Sequence, residues 1–154
     1  MMKKSAGILL FKKQNNDLLL LLVHPGGPLW ANKDLEAWSI PKGEFTDEQP
    51  LEAAKREFYE ETGKSVSGKF IELNPVTLKS GKKVFAWALE SDFDTSALIS
   101  NTFGMEWPPN SGLYKSFPEI DKAEWFSVKE ALEKINPGQR DLISQLTLIT
   151  SKYN

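Results

Sequence analysis

Residues 41–63 read PKGEFTDEQPLEAAKREFYEETG, and the fold and chemistry of the chain turn on them. A glycine turn leads into a segment with helical spacing that opens at Pro50, a residue suited to the first helical turn, and stops at Gly63, a natural left-handed cap. At about 100° per residue, Leu51, Ala54, Phe58 and Thr62 form one stripe, and Glu57, Glu60 and Glu61 gather on an adjoining arc. The spacing predicts a helix with a packing face and an acidic face.

Glu57 to Glu60 and Glu57 to Glu61 are i,i+3 and i,i+4 pairs of like charge, which destabilise a helix. At an effective dielectric of about 20, two unit charges about 4 Å apart repel by roughly 4 kcal/mol. Arg56 can neutralise one carboxylate, whereas Lys55 points well away on the wheel. A divalent cation is the natural candidate for the remainder, and hard oxygen ligands suit Mg2+ or Mn2+. A solvated acidic face is the ordinary explanation for a Glu-rich helix, so the surrounding residues must decide.

Those residues are specific. Pro41-Lys42-Gly43 upstream and Arg56-Glu57-Phe58-Tyr59-Glu60-Glu61-Thr62-Gly63 downstream resemble the Nudix box, Gly-x5-Glu-x7-Arg-Glu-U-x-Glu-Glu-x-Gly-U, with U bulky and apolar. Glu48 to Arg56 keeps the seven-residue gap, but only four residues separate Gly43 from Glu48, and Lys64 stands at the final U. The turn is one residue short, which bears on the Gly43 carbonyl and not on the helical carboxylate spacing. The stem of Lys64 can still cover apolar surface while its amine stays wet.

Composition sets the outer bounds. A chain of 154 residues is expected to form a single domain, 1–154, with a substantial core. A net charge of −2 gives no reason to expect an extended nucleic-acid surface or attraction to an anionic membrane. With no cysteine and one histidine, disulfides, thiolate catalysis, Cys-based zinc sites and multi-His metal sites are excluded. The apolar run at 6–11 is too short for a signal peptide, and the six-residue run at 18–23 is too short to span a bilayer, so a cytoplasmic location is expected.

Along the chain, residues 5–11 and 18–24 read as a hairpin of two strands, the second apolar enough for a central position. Residues 25–37 read as loop, followed by a short strand at 38–40. Trp30 in that loop either stacks on a nucleobase or pins the loop to the core. His24, at a strand end, reads as structural or surface rather than as a base. Strands are expected at 67–78, 84–89 and 123–126, with Lys79, Lys82 and Lys83 at a solvated hairpin tip. Residues 91–118 show no clear periodicity and carry Phe103, Trp107, Tyr114 and Phe117, and are expected to wall or cover a substrate pocket. Ser127 with Glu130 is a capping-box signature opening a helix, and residues 139–153 read as a terminal helix.

The Nudix resemblance implies an α/β/α sandwich around a mixed β-sheet, with the box helix on one face. It implies divalent-metal-dependent hydrolysis of a phosphoanhydride in a nucleoside diphosphate-linked substrate, with dinucleoside polyphosphates or nucleoside triphosphates favoured. Nucleotide sugars, ADP-ribose and RNA 5′ ends are the alternatives within the class. A non-catalytic Nudix-fold nucleotide-binding regulator is the alternative outside it, and an acidic scaffold helix a third. Carried over by position, Arg56, Glu57, Glu60 and Glu61 are the expected catalytic residues. Glu57, Glu60, Glu61, Glu119 and the Gly43 carbonyl are the expected metal ligands, with Glu106 in reserve for Glu119. Lys42, Trp30 and Trp107 are the candidates for substrate binding, although Lys42 equally fits an exposed turn. Arg56 is expected to orient the cluster through Glu48.

Overall fold

Strands β1 (Lys4–Gln14) and β2 (Asp17–Pro25) pair antiparallel, with Gln14 opposite Asp17. The two residues between them, Asn15 and Asn16, have φ of 53° and 67°, the left-handed pair that matches the twist of a tight hairpin. In this computed structural model, which describes residues 2–151, β1 and β2 occupy the middle of the main sheet, in the order β4 (Ile71–Glu72), β6 (Lys83–Glu90), β1, β2, β9 (Ile120–Ser127). Residues 5–11 of β1 are buried on both faces, as a central strand under two helical layers requires.

The sheet is mixed. Strand β6 (Lys83–Glu90) runs parallel to β1, while β3 (Lys42–Phe45), also on β1, and β9 (Ile120–Ser127), on β2, are antiparallel. Helix α1 (Pro50–Thr62) covers one face and packs Ala53, Ala54 and Phe58 against Ile8, Leu10, Leu21 and Phe45. Burying Phe58 completely contributes roughly 1.5–3 kcal/mol. On the other face α2 (Val128–Lys134) and α3 (Arg140–Ser151) bury Ala131, Leu142, Ile143 and Leu146 against Leu9, Leu20 and Leu22. The result is the expected α/β/α sandwich.

Helix boundaries follow the sequence closely. Gly63 caps α1 at φ 84°, its N–H donating to Tyr59 O at 2.7 Å. Ser127 and Glu130 form the reciprocal capping box of α2. Helix α3 begins after a 3-10 turn at Pro137–Gln139, and the expected extension of the helix to 153 lies partly outside the described residues.

Three expectations need correction. The strand expected at 67–78 is two short pieces on β6, β4 (Ile71–Glu72) and β5 (Val76–Thr77), broken around Asn74-Pro75, where proline has no N–H for a ladder. Residues 38–40 make only isolated bridges, Ser39 to Val23 and Trp38 to Ile135. Residues 91–118 contain a separate hairpin of β7 (Thr102–Glu106) and β8 (Tyr114–Pro118). Just before it, Ile99 and Asn101 N–H groups donate to Thr62 O and Glu60 O, satisfying carbonyls at the α1 C-terminus.

Candidate active site

The α1 carboxylates face the end of β3. Glu57 is buried at 8% exposure despite its charge, and its carboxylate lies against Gly43, where a Cβ would stand 2.0 Å from Oε2. Only glycine leaves that space. Glu61 reaches past Glu57 to the β3 backbone, where Oε1 accepts the Lys42 N–H at 3.0 Å. The short turn from Gly43 therefore still delivers the strand end to the helix.

Arg56 gathers the rest. Its Nε donates to both oxygens of Glu48, at 3.1 and 2.8 Å, and its Nη2 donates to Glu48 Oε1 at 2.6 Å. Nη1 donates to Glu57 Oε1 at 2.9 Å and to both Glu60 oxygens at 3.1 Å. One guanidinium thus joins the loop carboxylate to two helical ones, a task that its planar fork suits and an ammonium does not. The pairing holds the Glu48 carboxyl below its usual range and raises Arg56 above its own.

Burial and like charge push the other way at the centre. Burial is the main cause raising the Glu57 carboxyl, and Glu60 and Glu119 add repulsion against the opposing pull of Arg56. Glu61 is pushed up to about 8, chiefly by burial, with Glu57 and Glu119 contributing and the Lys42 N–H opposing. Glu119 is raised by burial and then by Glu60. Four carboxylates therefore share one electrostatic neighbourhood.

Glu119 enters from outside the box, between β8 and β9. Its backbone is clamped, with its N–H on Asn101 O and its carbonyl accepting the Gly26 N–H, both at 2.8 Å. The reserve residue Glu106 lies in the β7–β8 hairpin, where its carboxylate accepts the Asn110 N–H at 2.9 Å.

A cavity of about 240 Å³ opens beside this cluster, lined among others by Lys42, Glu61, Glu119, Trp30, Trp38 and Gln139. Trp30 lies 39% exposed on its rim, with Lys33 Nζ 5.0 Å from its ring centroid. Burial, followed by the charge of Lys82, lowers the pKa of Lys42. Trp107 belongs to the β7–β8 hairpin and does not line this cavity; nor do Phe103, Tyr114 and Phe117. Phe103 instead packs on Phe117 and against Gly27. The hairpin is thus pinned to the Pro25–Trp30 loop at its base.

His24 is structural. Fully buried, it bonds Asp121 Oδ1 through Nδ1 at 2.8 Å and the Lys33 carbonyl through Nε2 at 2.6 Å, tying the Trp30 loop to β9. Gln139 had no distinguishing mark in the sequence, yet it braces the cavity floor. Its Oε1 accepts the Ile40 N–H at 3.1 Å and its Nε2 donates to Ser39 Oγ at 3.0 Å.

The donor chemistry fits a hard divalent cation: several carboxylates, Glu57 and Glu61 raised chiefly by burial and further by their like-charged neighbours, beside Gly43 of β3. Among the described residues, no three acidic or histidine side chains already stand in metal-holding geometry; Glu57 and Glu60 instead engage Arg56.

Comparison with known proteins agrees with this arrangement. A NUDIX domain family model matches residues 1–146. A search among curated proteins finds no match to the sequence. Among solved structures, a Caenorhabditis elegans Ap4A hydrolase binary complex superposes with a TM-score of 0.65 at 18% identity, over 98% of this chain and 99% of that one. The NUDIX domain of Shewanella oneidensis NrtR, complexed with ADP ribose, gives 0.68 at 16% identity over 97% and 89%. A MutT protein from Methanosarcina mazei gives 0.58 at 21% identity over 97% and 95%. At these identities the superpositions speak for the fold, and the family match across 146 residues, box carboxylates included, supports a pyrophosphohydrolase. The chain belongs to the NUDIX domain family.

Proposed function

We propose that the protein hydrolyses a phosphoanhydride bond in a nucleoside diphosphate-linked substrate, with Mg2+ or Mn2+ as cofactor. The observation that carries this reading is the convergence of Glu57, Glu60, Glu61 and Glu119 on one electrostatic neighbourhood beside a cavity. A bound divalent ion would draw charge from the phosphate oxygens and ease deprotonation of the attacking water. Glu57, Glu60, Glu61, Glu119 and the Gly43 carbonyl are the ligands proposed for it.

The remaining work falls to the chain itself. Arg56 holds Glu57 and Glu60 in place through its anchor on Glu48. Glu60, steadied by Arg56 Nη1, is either a further ligand or the base that accepts a proton from the attacking water. Lys42 offers a positive charge to a phosphate in the cavity, and Trp30 offers a ring face at its rim. Trp107, on the separate hairpin, stays a candidate contact for a larger substrate that extends beyond the cavity.

Dinucleoside polyphosphates and nucleoside triphosphates are the favoured substrates, and the likeness to an Ap4A hydrolase supports the first. ADP-ribose is a second reading, supported by the likeness to a NUDIX domain that binds it. A binding-only regulator is the alternative of another class. The reading takes 1–154 as one functional unit working on cytoplasmic nucleotides; no described helix is long and apolar enough to cross a membrane.

The test is incubation with magnesium or manganese and a panel of phosphoanhydrides, with products identified by chromatography and the attacked phosphorus located in water enriched in heavy oxygen. Two products from one panel member support the reading. Calorimetric binding of a nucleotide without any product points to the regulator.

A further inference from the structure

The lysines at the β5–β6 turn, expected at a solvated tip, do not stand apart from the site. Strands β5 and β6 pair with Val76 opposite Val84 and Thr77 opposite Lys83, and the Leu78 N–H donates to Lys82 O at 2.8 Å. Leu78 and Lys82 are therefore cross-strand neighbours on one face of the sheet. Leu78 lines the cavity that holds Lys42, Glu61 and Glu119. Lys82 itself lines a second depression, together with Lys3, Ser80 and Gly81.

Strand β3 meets it there. Lys42 and Glu44 lie two residues apart, opposite Gly7 and Ser5 of β1, and project to the same face. Glu44 Oε2 accepts from Lys82 Nζ at 3.2 Å, and Lys3 Nζ stands 4.0 Å from Glu44 Oε1. The Lys82 side chain is only 24% exposed. Three lysines from three strand ends thus surround a single carboxylate, in a chain whose overall charge is −2.

We propose that Lys42, Lys82 and Lys3 form a track for an oligophosphate chain of three or more phosphates, with Glu44 as its counter-ion when no substrate is bound. This rests on the hydrolase reading for its direction: the reacting diphosphate lies toward Glu61, and the chain continues over Lys42 to Lys82. Lys82 is a specificity residue for chain length. A substrate with only two phosphates ends before reaching it and gains nothing from the outer lysines, whereas a longer chain displaces Glu44 from Lys82.

Calorimetric titration of orthophosphate, pyrophosphate and inorganic tripolyphosphate into the full chain, with chelator present, reads these lysines without turnover. Tripolyphosphate should bind more tightly than pyrophosphate. Lys82→Gln should weaken tripolyphosphate by roughly three- to tenfold, the loss of one charge-assisted contact, and Lys82→Arg should restore it. Glu44→Gln, which removes the competing carboxylate, should tighten it. Lys3→Gln, at an exposed side chain, should weaken it less. Equal affinity of the wild type and Lys82→Gln, both folded by circular dichroism, overturns the proposal. So does a loss seen only with a 5′-triphosphorylated oligoribonucleotide, which would assign the lysines to nucleic acid. The hydrolase reading fails separately: if no phosphoanhydride is cleaved with magnesium, these metal-free affinities still stand or fall on their own.

Discussion

The Glu57 carboxylate rests on the α-carbon of Gly43, with Oε2 only 2.0 Å from the place a side chain would begin. Strand β3 cannot retreat to make room, because Gly43 is paired with Ala6 in the middle of the sheet. In Gly43→Ala the carboxylate must therefore move. The expected outcome is a folded protein whose kcat/KM falls by roughly 100-fold, the cost of about 1 Å of misplacement at a reacting centre. Steady-state kinetics with a circular dichroism control would check it.

Arg56→Ala removes the one group that joins Glu48, Glu57 and Glu60. With the guanidinium partly exposed, solvent screening holds the stability loss to about 1 kcal/mol, but the uncompensated carboxylates should cost activity far more. Arg56→Lys should recover little, since an ammonium lacks the planar fork that spans all three. Thermal unfolding and kinetics of both variants would separate the two effects.

The raised Glu61 carboxyl makes a signed prediction about pH. Its folded value of about 8 lies above the ordinary 4.5, so the folded state holds a proton that the unfolded chain has released. Its contribution to stability is complete below the ordinary value and is lost as pH rises toward 8. The melting temperature of metal-free protein should fall across that window, and Glu61→Gln should flatten the slope. Magnesium binding below pH 8 should release protons, measurable by calorimetry in buffers of different ionisation enthalpy.

His24 separates stability from chemistry. It is buried with both ring nitrogens bonded, to Asp121 and to the Lys33 carbonyl. His24→Leu should leave those acceptors unsatisfied and cost roughly 1–3 kcal/mol. The metal dependence of hydrolysis should persist. Denaturant unfolding together with a magnesium titration of activity would show whether the two move apart.

Much of this arrangement was legible because local signals and burial agreed. Pro50 and Gly63 bound α1, Ser127 and Glu130 open α2, and the leucines of β2 mark a central strand. The carboxylate arc was legible for the same reason, since helical spacing alone sets Glu57, Glu60 and Glu61 side by side. What remained hidden depends on distant pairings. The β7–β8 hairpin carries no alternating pattern because its small sheet stands apart from the main one. Gln139 looks like any helix-start glutamine until it reaches Ile40 and Ser39, about a hundred residues away. Lys82 reads as a turn lysine until β3 brings Glu44 and Lys42 to it.

The most direct measurement compares the wild type with the Glu57→Gln/Glu61→Gln variant on the phosphoanhydride substrate that the wild type cleaves fastest, with magnesium and with chelator. Both proteins are first shown to be folded. Magnesium-dependent cleavage by the wild type, reduced in the variant to the rate seen with chelator, is the expected result. Cleavage that survives the double substitution, or that proceeds equally well in chelator, contradicts the acidic face of α1 as the seat of the chemistry.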